Sequence, residues 1–249
     1  MAERKSTKSA TIDFDTAQFK CIAIGDIGTG KSAFAATFPT PGYVFNFDNK
    51  TAAYVGANWE YVDIPTSPVG WVTAEKERTA VGKEVREGKF KTVVIDSTTS
   101  LHTLAVERAM QIDPKRSEIG GPIWNVHYNM AATLTEGFIR QVLSWSCNVV
   151  VVIHYEPVRD SDGNIIAYQP LLPGRSVVKI PGLFDEIYRT YTIVKSGVTL
   201  YKLGTVPKGL YKAARSGLRG KFNLLDDELD NTFQAIIASY NRNLANKND

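Results

Sequence analysis

Cysteine is scarce: Cys21 and Cys147 are the only two in 249 residues. Two thiols cannot build a disulfide framework. Both stand beside apolar, strand-like runs, so buried, reduced thiols of a cytosolic protein are expected. Histidine is scarce too, with three, and no Cys/His spacing suits a metal. No Ser/His/Asp triad is legible. No apolar run reaches the roughly 18 residues of a bilayer span. The opening MAERKSTKSATIDFD lacks the apolar centre of a secretory signal. A soluble cytoplasmic protein with no membrane partner is therefore expected. An excess of charge of one sign is lacking as well. Lys and Arg number 29 against 26 Asp and Glu, a net +3 that by itself diagnoses no polyanion partner.

The composition is otherwise that of a folded chain, with 43% hydrophobic and 10% aromatic residues. That apolar content offsets ordering entropy and excludes disorder as the main state. The length admits one large domain or two small ones. Residues 1–17 and 242–249 read as flexible tails around a single domain, 18–241, with no repeat or dividing linker.

Apolar runs at 19–24, 43–47, 59–64, 91–96 and 148–154 read as strands. Helical patterns occupy 31–38, 72–87, 97–112 and 124–145, the third with Ser97 or Thr98 as N-cap. The Val/Ile runs lack alternation, which fits strands buried on both faces. Strands separated by helices indicate an α/β fold with a mostly parallel sheet flanked by helices. Beyond residue 154 the pattern changes. Asp162-Gly163-Asn164 and Lys195-Ser196-Gly197 each lie between extended segments and predict antiparallel hairpins. A short helix within 174–184, broken at Pro181, and an amphipathic helix over 226–240 complete the reading. In the last helix Leu229, Phe233, Ile236, Ile237 and Tyr240 share a face.

The run Gly25-Asp26-Ile27-Gly28-Thr29-Gly30-Lys31-Ser32, followed by Ala33, matches GxxxxGK(S/T) between a strand and a helix. Glycines let successive N–H groups curl toward phosphate oxygens, and the helix start adds more. Lys31 supplies a charge to the β/γ-phosphates of ATP, and Ser32 a hydroxyl to Mg²⁺. Val93-Val94-Ile95-Asp96 ends an apolar strand in a carboxylate, the Walker B form, which places Asp96 in the metal shell with Ser32. The alternative is an Asp that only caps the following helix. Asp48 ends the strand after the P-loop helix and is the candidate for orienting water; a turn-forming Asp before Asn49 is the alternative. His154 ends the NVVVVIH strand, where a neutral imidazole can sense the γ-phosphate or simply close the strand. His102 and His127 lie in helical patterns and read as structural.

This order of motifs resembles the RecA-like ATPase core. The segments FKCIAIGDIGTGKSAFAATFPTP (19–41), FKTVVIDS (90–97), VVVVIHYE (149–156) and LPGRSVVKIPGLFDEI (172–187) look like phage RecA-like proteins of the Sak single-strand annealing group. The resemblance spans about residues 19–222. It implies an ATP-binding core, in the host cytoplasm if phage-encoded, that binds single-stranded DNA and supports recombination by annealing or strand exchange. It also implies self-association into a ring or filament with ATP between subunits, and it admits a single-strand DNA-binding protein as a further partner. The loops 113–122 and 155–173 occupy the positions that face DNA in RecA-like relatives. Two departures stand out: Asp48 replaces the usual Glu, one methylene longer, and His154 the usual Gln. Slow, DNA-stimulated hydrolysis is the expectation. Some relatives supply a Lys-x-Arg finger to a neighbour's phosphate; here Lys212 and Arg215 have another spacing, and Arg215 is the candidate.

Residues 200–221 carry six cations and no acid, which leaves the rest of the chain near −3. Tyr201 and Tyr211 are interleaved, a composition suited to unpaired bases and phosphates. Lys208, Lys212 and Arg219 here, with Arg159 and Arg175 upstream, are the candidate DNA contacts. A solvated or subunit-facing basic segment is the alternative. At the level of function the alternatives are a nucleotide-gated assembly or motor protein that does not touch DNA, and a kinase, for which no lid is legible.

Overall fold

The computed structural model describes residues 12–14, 16–67, 69–221 and 223–247. The expected N-terminal tail lies largely outside these residues. Six strands run parallel in the order β7-β1-β5-β4-β2-β3: Glu186–Lys195, Lys20–Gly25, Asn148–Arg159, Thr92–Asp96, Gly42–Asn46 and Trp59–Asp63. The strand leading to the P-loop (β1) and the strand ending in Asp96 (β4) are thus separated by β5. The strand that leads to Asp48 (β2) is expected beside the P-loop strand; it lies beyond two intervening strands instead, paired with β4 and β3, because β5 and β4 fill the positions between it and β1. β8 (Val198–Gly204) and β10 (Glu228–Asp230) extend the β7 edge antiparallel. β6 (Ile165–Pro170) folds back on the outer half of β5, and the two-residue β9 (Arg215–Ser216) pairs with the start of β7. Both expected hairpins are present.

Each parallel strand sends alternate side chains to opposite faces, and both faces are covered. Ile22, Ile24, Phe45, Phe47, Val93, Ile95, Val149, Val151 and Ile153 join one core with α2 (Gly70–Arg86), α3 (Thr98–Ile112) and α4 (Asn129–Leu143). Cys21, Ala23, Val44, Val94, Val150 and Val152 join the other with α1 (Lys31–Ala36) and α6 (Phe233–Ala245). This double burial is why the strand sequences read as unbroken apolar runs. Both cysteines are buried and unpaired. No helix among the described residues is long and apolar enough to cross a membrane.

The C-terminal region departs from the expected 226–240 helix. Leu229 lies in β10, where Glu228–Asp230 pair with Lys202–Gly204, and the helix starts only after Thr232. Thr232 Oγ1 accepts from the Ala235 N–H at 3.1 Å, an N-cap that marks the true start. Leu229 fits the helical spacing of Phe233, Ile236 and Tyr240 by chance, because a strand side chain reaches the same core. The helix continues to Ala245, past the expected end. Before β1, Phe14 packs edge-on against Phe233 and Tyr240 of α6. The helical pattern at 124–145 divides into one wide π turn, Trp124–Tyr128, and α4. Pro181 separates a single helical turn, α5 (Ser176–Lys179), from a 3₁₀ turn, as expected.

Phe138 of α4 ties the first core together. Its fully buried ring meets Phe45, Phe47 and Trp71 at centroid distances of 5.3, 5.8 and 6.1 Å. Phe138→Ala should cost about 3–5 kcal/mol of unfolding free energy in a urea titration. A loss below about 1 kcal/mol would show that this contact does not organise the core.

Candidate active site

β1, β2 and β4 end at one edge of the sheet, where open α/β sheets bind ligands, and β5 passes His154 there before pairing with β6. The register aligns Gly25 with His154 and Asn46 with Asp96. P-loop, Asp48, Asp96 and His154, far apart in sequence, are thereby brought together.

The loop from Gly25 to Gly30 turns through Gly28 and Gly30, at φ 77° and 86°. That left-handed backbone suits glycine. A Cβ on Gly30 would also lie 2.6 Å from Asn231 Nδ2 and 2.9 Å from Tyr201. Asn231 donates to the Gly30 carbonyl at 2.9 Å, fixing the loop from the β10–α6 junction. On its other side Thr29 Oγ1 is 2.7 Å from Thr190 Oγ1 of β7. Asp26, Ile27 and Gly28 are exposed at the loop tip, and Ala33 on the helix. α1 has only six residues, so a nucleotide phosphate here would be met by the loop amides and Lys31. The buried Lys31 ammonium donates to the carbonyls of Gly25 (2.9 Å) and Asp26 (2.6 Å). Burial lowers its pKa to about 8, against the opposing pull of Asp96.

Ser32 Oγ donates to Asp96 Oδ2 at 2.6 Å, and Tyr54 OH to the same oxygen at 2.9 Å. Burial raises the Asp96 pKa, and the two hydroxyl donors oppose that rise. A hydroxyl and a carboxylate in contact beside a glycine cradle fit Mg²⁺ with a nucleotide phosphate; Ser32 and Asp96 would hold the ion. When bound, Mg²⁺ neutralises charge on the β and γ phosphates. Ser97 precedes α3, but no side-chain capping bond is made there. Instead Ser97 Oγ and Ser100 Oγ donate to Asp48 Oδ1 at 2.9 and 2.5 Å. The Phe47 and Asp48 N–H groups donate to the Asp96 carbonyl at 2.7 and 3.3 Å. Asp48 is thus built into the Walker B corner. The Asp96–Ser97 peptide is cis. His154 is half-buried, and burial, then Lys31, lowers its pKa, which keeps the imidazole neutral.

The cationic candidates are dispersed. Arg215 lies beside Ile187, toward the opposite end of the sheet from the P-loop, and donates to the Pro181 and Phe184 carbonyls, both at 2.7 Å. Arg219 is held by Asp227, Thr205 and the Leu225 carbonyl. Lys202 is paired with Asp230. Lys208 and Lys212 are exposed around the Tyr211 turn. The Tyr211 ring stacks on Tyr168 (4.5 Å, 4°) and receives Arg189 on its face at 3.4 Å, so it is occupied internally. Arg159 is exposed near the β5–β6 turn and donates to the Gly163 carbonyl; Arg175 is exposed at the start of α5. His127 is fully buried and structural. Its Nδ1 accepts from the Ile123 N–H, so Nε2 donates to the Asp113 carbonyl.

Sequence reading missed Tyr54, Ser100 and Asn231. Tyr54 sits in a 3₁₀ turn with no motif, and Asn231 is 201 residues from the carbonyl it holds. Only Ser100 had a signal, one turn beyond Ser97 on a predicted helix.

Gly30→Ala should abolish binding of ATP with Mg²⁺ in a calorimetric titration, through the clash with Asn231 and the strained φ. Binding within about threefold of the parent would contradict the cradle.

Residues 17–216 match the family model described as an AAA domain. No curated protein matches the chain. Similar solved structures include a KaiC-like protein from the hyperthermophilic archaeon Pyrococcus horikoshii OT3, with 12% identity over 75% of this chain and 77% of that one, at TM-score 0.44. Flagellar accessory protein FlaH from Methanocaldococcus jannaschii is 11% identical over 85% and 83%, at TM-score 0.43. With its P-loop, its Walker B acid and the RecA-like strand order, the chain is a P-loop ATPase and belongs to the AAA domain family.

Proposed function

We propose that this ATPase binds single-stranded DNA and supports phage-type homologous recombination by annealing or strand exchange, as the Sak group does. It would assemble into a ring or filament with ATP at subunit interfaces, and a single-strand DNA-binding protein would share its substrate. The observation that carries this reading is the origin of the β5–β6 hairpin. β5 runs straight from His154, at the nucleotide edge, into a hairpin with Arg159 near its turn. One continuous strand thus joins His154 to Arg159 at the hairpin turn, where Arg159 is the single cation beside Glu156, Asp160 and Asp162. The proposed link between nucleotide state and a DNA phosphate runs through that one guanidinium.

In the hydrolytic step Asp48 orients the attacking water. Ser97 and Ser100 hold Oδ1, and Oδ2 carries neither of those bonds. The water oxygen bonds to the γ-phosphorus as the bond to the β,γ-bridging oxygen breaks, and Asp48 takes the water's proton. Lys31 offsets charge on the transferred group. A second reading, nucleotide-gated assembly with negligible turnover, is favoured by the two hydroxyls on Asp48. They occupy one oxygen of a carboxylate that is already one methylene shorter than the usual Glu.

Asp48→Asn should keep ATP affinity within about threefold and lower turnover by about 10²-fold or more, the usual range for a positioned base. Unchanged turnover removes Asp48 from the mechanism. For DNA binding, the anisotropy of a labelled oligonucleotide should rise in the presence of ATP and Mg²⁺ and fall steeply with salt. No binding with any nucleotide at low salt rejects this function.

A further inference from the structure

A cleft of about 620 Å³ opens beside the catalytic edge. Its floor is the first turns of α3, at Thr99, His102 and Thr103, and its far wall is the segment from Gln169 to Val178. Trp124 and Tyr128 of the π turn stand at its mouth, with ring centroids 4.6 Å apart. Trp124 is 64% exposed, a large aromatic face left open to solvent. An adjoining hollow of about 330 Å³ shares Trp124, Tyr128, Pro173 and Gly174 and carries Arg175 and Lys179. Lys179 lies 3.6 Å from Glu136, whereas the Arg175 guanidinium has no partner among the described residues.

Two polar atoms on the floor need a partner. Thr99 Oγ1 and His102 Nε2 are buried without a hydrogen bond. His102 Nδ1 is engaged 3.1 Å from Thr135 Oγ1, and burial lowers the His102 pKa to about 4, so the ring is neutral and Nε2 offers one donor or one acceptor. A buried polar atom without a partner costs about 1–3 kcal/mol. An occupant that is flat and apolar on its faces but polar at its edge would satisfy the floor and cover Trp124 together. An apolar side chain would leave both floor atoms unpaired. The cations outside the mouth call for an occupant joined to negative charge.

We propose that this cleft takes one unpaired nucleobase of a DNA strand, stacked on Trp124, with the flanking phosphates at Arg175 and Lys179. The assignment rests on the single-stranded DNA reading above and adds to it a base site distinct from the basic segment 200–221. Its floor also reports to the ATPase centre. Thr99, His102 and Thr103 share the first turns of α3 with Ser100, which holds Asp48, and Glu156 on the cleft wall lies two residues beyond His154.

The test compares oligo-dT with an abasic tetrahydrofuran oligonucleotide of equal length. Both are bound by anisotropy to the full chain in ATP and Mg²⁺. Trp124→Ala should weaken oligo-dT binding by about fivefold to about a hundredfold, the range for loss of one base stack. Its affinity for the abasic strand should equal the parent's, and Trp124→Phe should retain most oligo-dT affinity. Because Trp124 is largely exposed, the variant leaves the cores intact. Equal affinity of parent and Trp124→Ala for oligo-dT overturns the base site and leaves the DNA reading standing, as does an equal loss on both strands. Weakened self-association with unchanged oligo-dT affinity overturns it too and assigns the cleft to a second copy of the chain. A parent that binds neither strand overturns the DNA reading and the base site together.

Discussion

The hydrogen bond from Ser32 to the buried Asp96 carboxylate joins the two halves of the nucleotide site. It connects the P-loop helix to the end of β4 across the intervening strand β5. A carboxylate at this depth is costly unless it is paired and hydrogen-bonded. Ser32 and Tyr54 supply the donors, and a divalent ion would supply the charge. The same corner fixes Asp48, because its backbone N–H and that of Phe47 donate to the Asp96 carbonyl. The positions of Asp48, Ser97 and Ser100 are therefore consequences of where Asp96 sits.

The parallel sheet makes that corner possible. Parallel strands need crossovers, and the crossovers place helices on both faces, so every strand end at the catalytic edge is backed by packed core. That packed edge contrasts with the exposed elements that rise from it. The β5–β6 hairpin carries the exposed Arg159, the segment through α5 carries Arg175 and Lys179, and the π turn carries Trp124; the Leu171 N–H ahead of α5 donates to the His154 carbonyl at 2.7 Å. Under the proposed function, DNA on these outer elements would act on the nucleotide site through α3 and β5.

The parallel core and the P-loop were legible because their signals are local: unbroken apolar runs and a contiguous glycine motif. Asp96 was legible because an acid at the end of such a run has few structural reasons to be there. Leu229 was misread, since one apolar residue suits a helix face and a strand face alike, and the deciding N-cap at Thr232 followed it. Tyr54 and Asn231 were invisible, since their contacts depend on chain-distant register. The cations of residues 200–221 formed a clear cluster in sequence, yet in the fold Arg215 is engaged by the Pro181 and Phe184 carbonyls, Arg219 by Asp227, Thr205 and the Leu225 carbonyl, and Lys202 by Asp230. Clustering along the chain does not imply clustering on the surface once hairpin strands alternate their sides.

If the protein acts on single-stranded DNA as proposed, nucleotide turnover at the Asp48–Asp96 corner answers to that DNA. The most direct measurement is steady-state phosphate release from ATP and Mg²⁺ by the full chain, with and without saturating oligo-dT at low salt. Slow release alone and a severalfold rise with the oligonucleotide are expected. Turnover that is measurable yet identical in both conditions would contradict it.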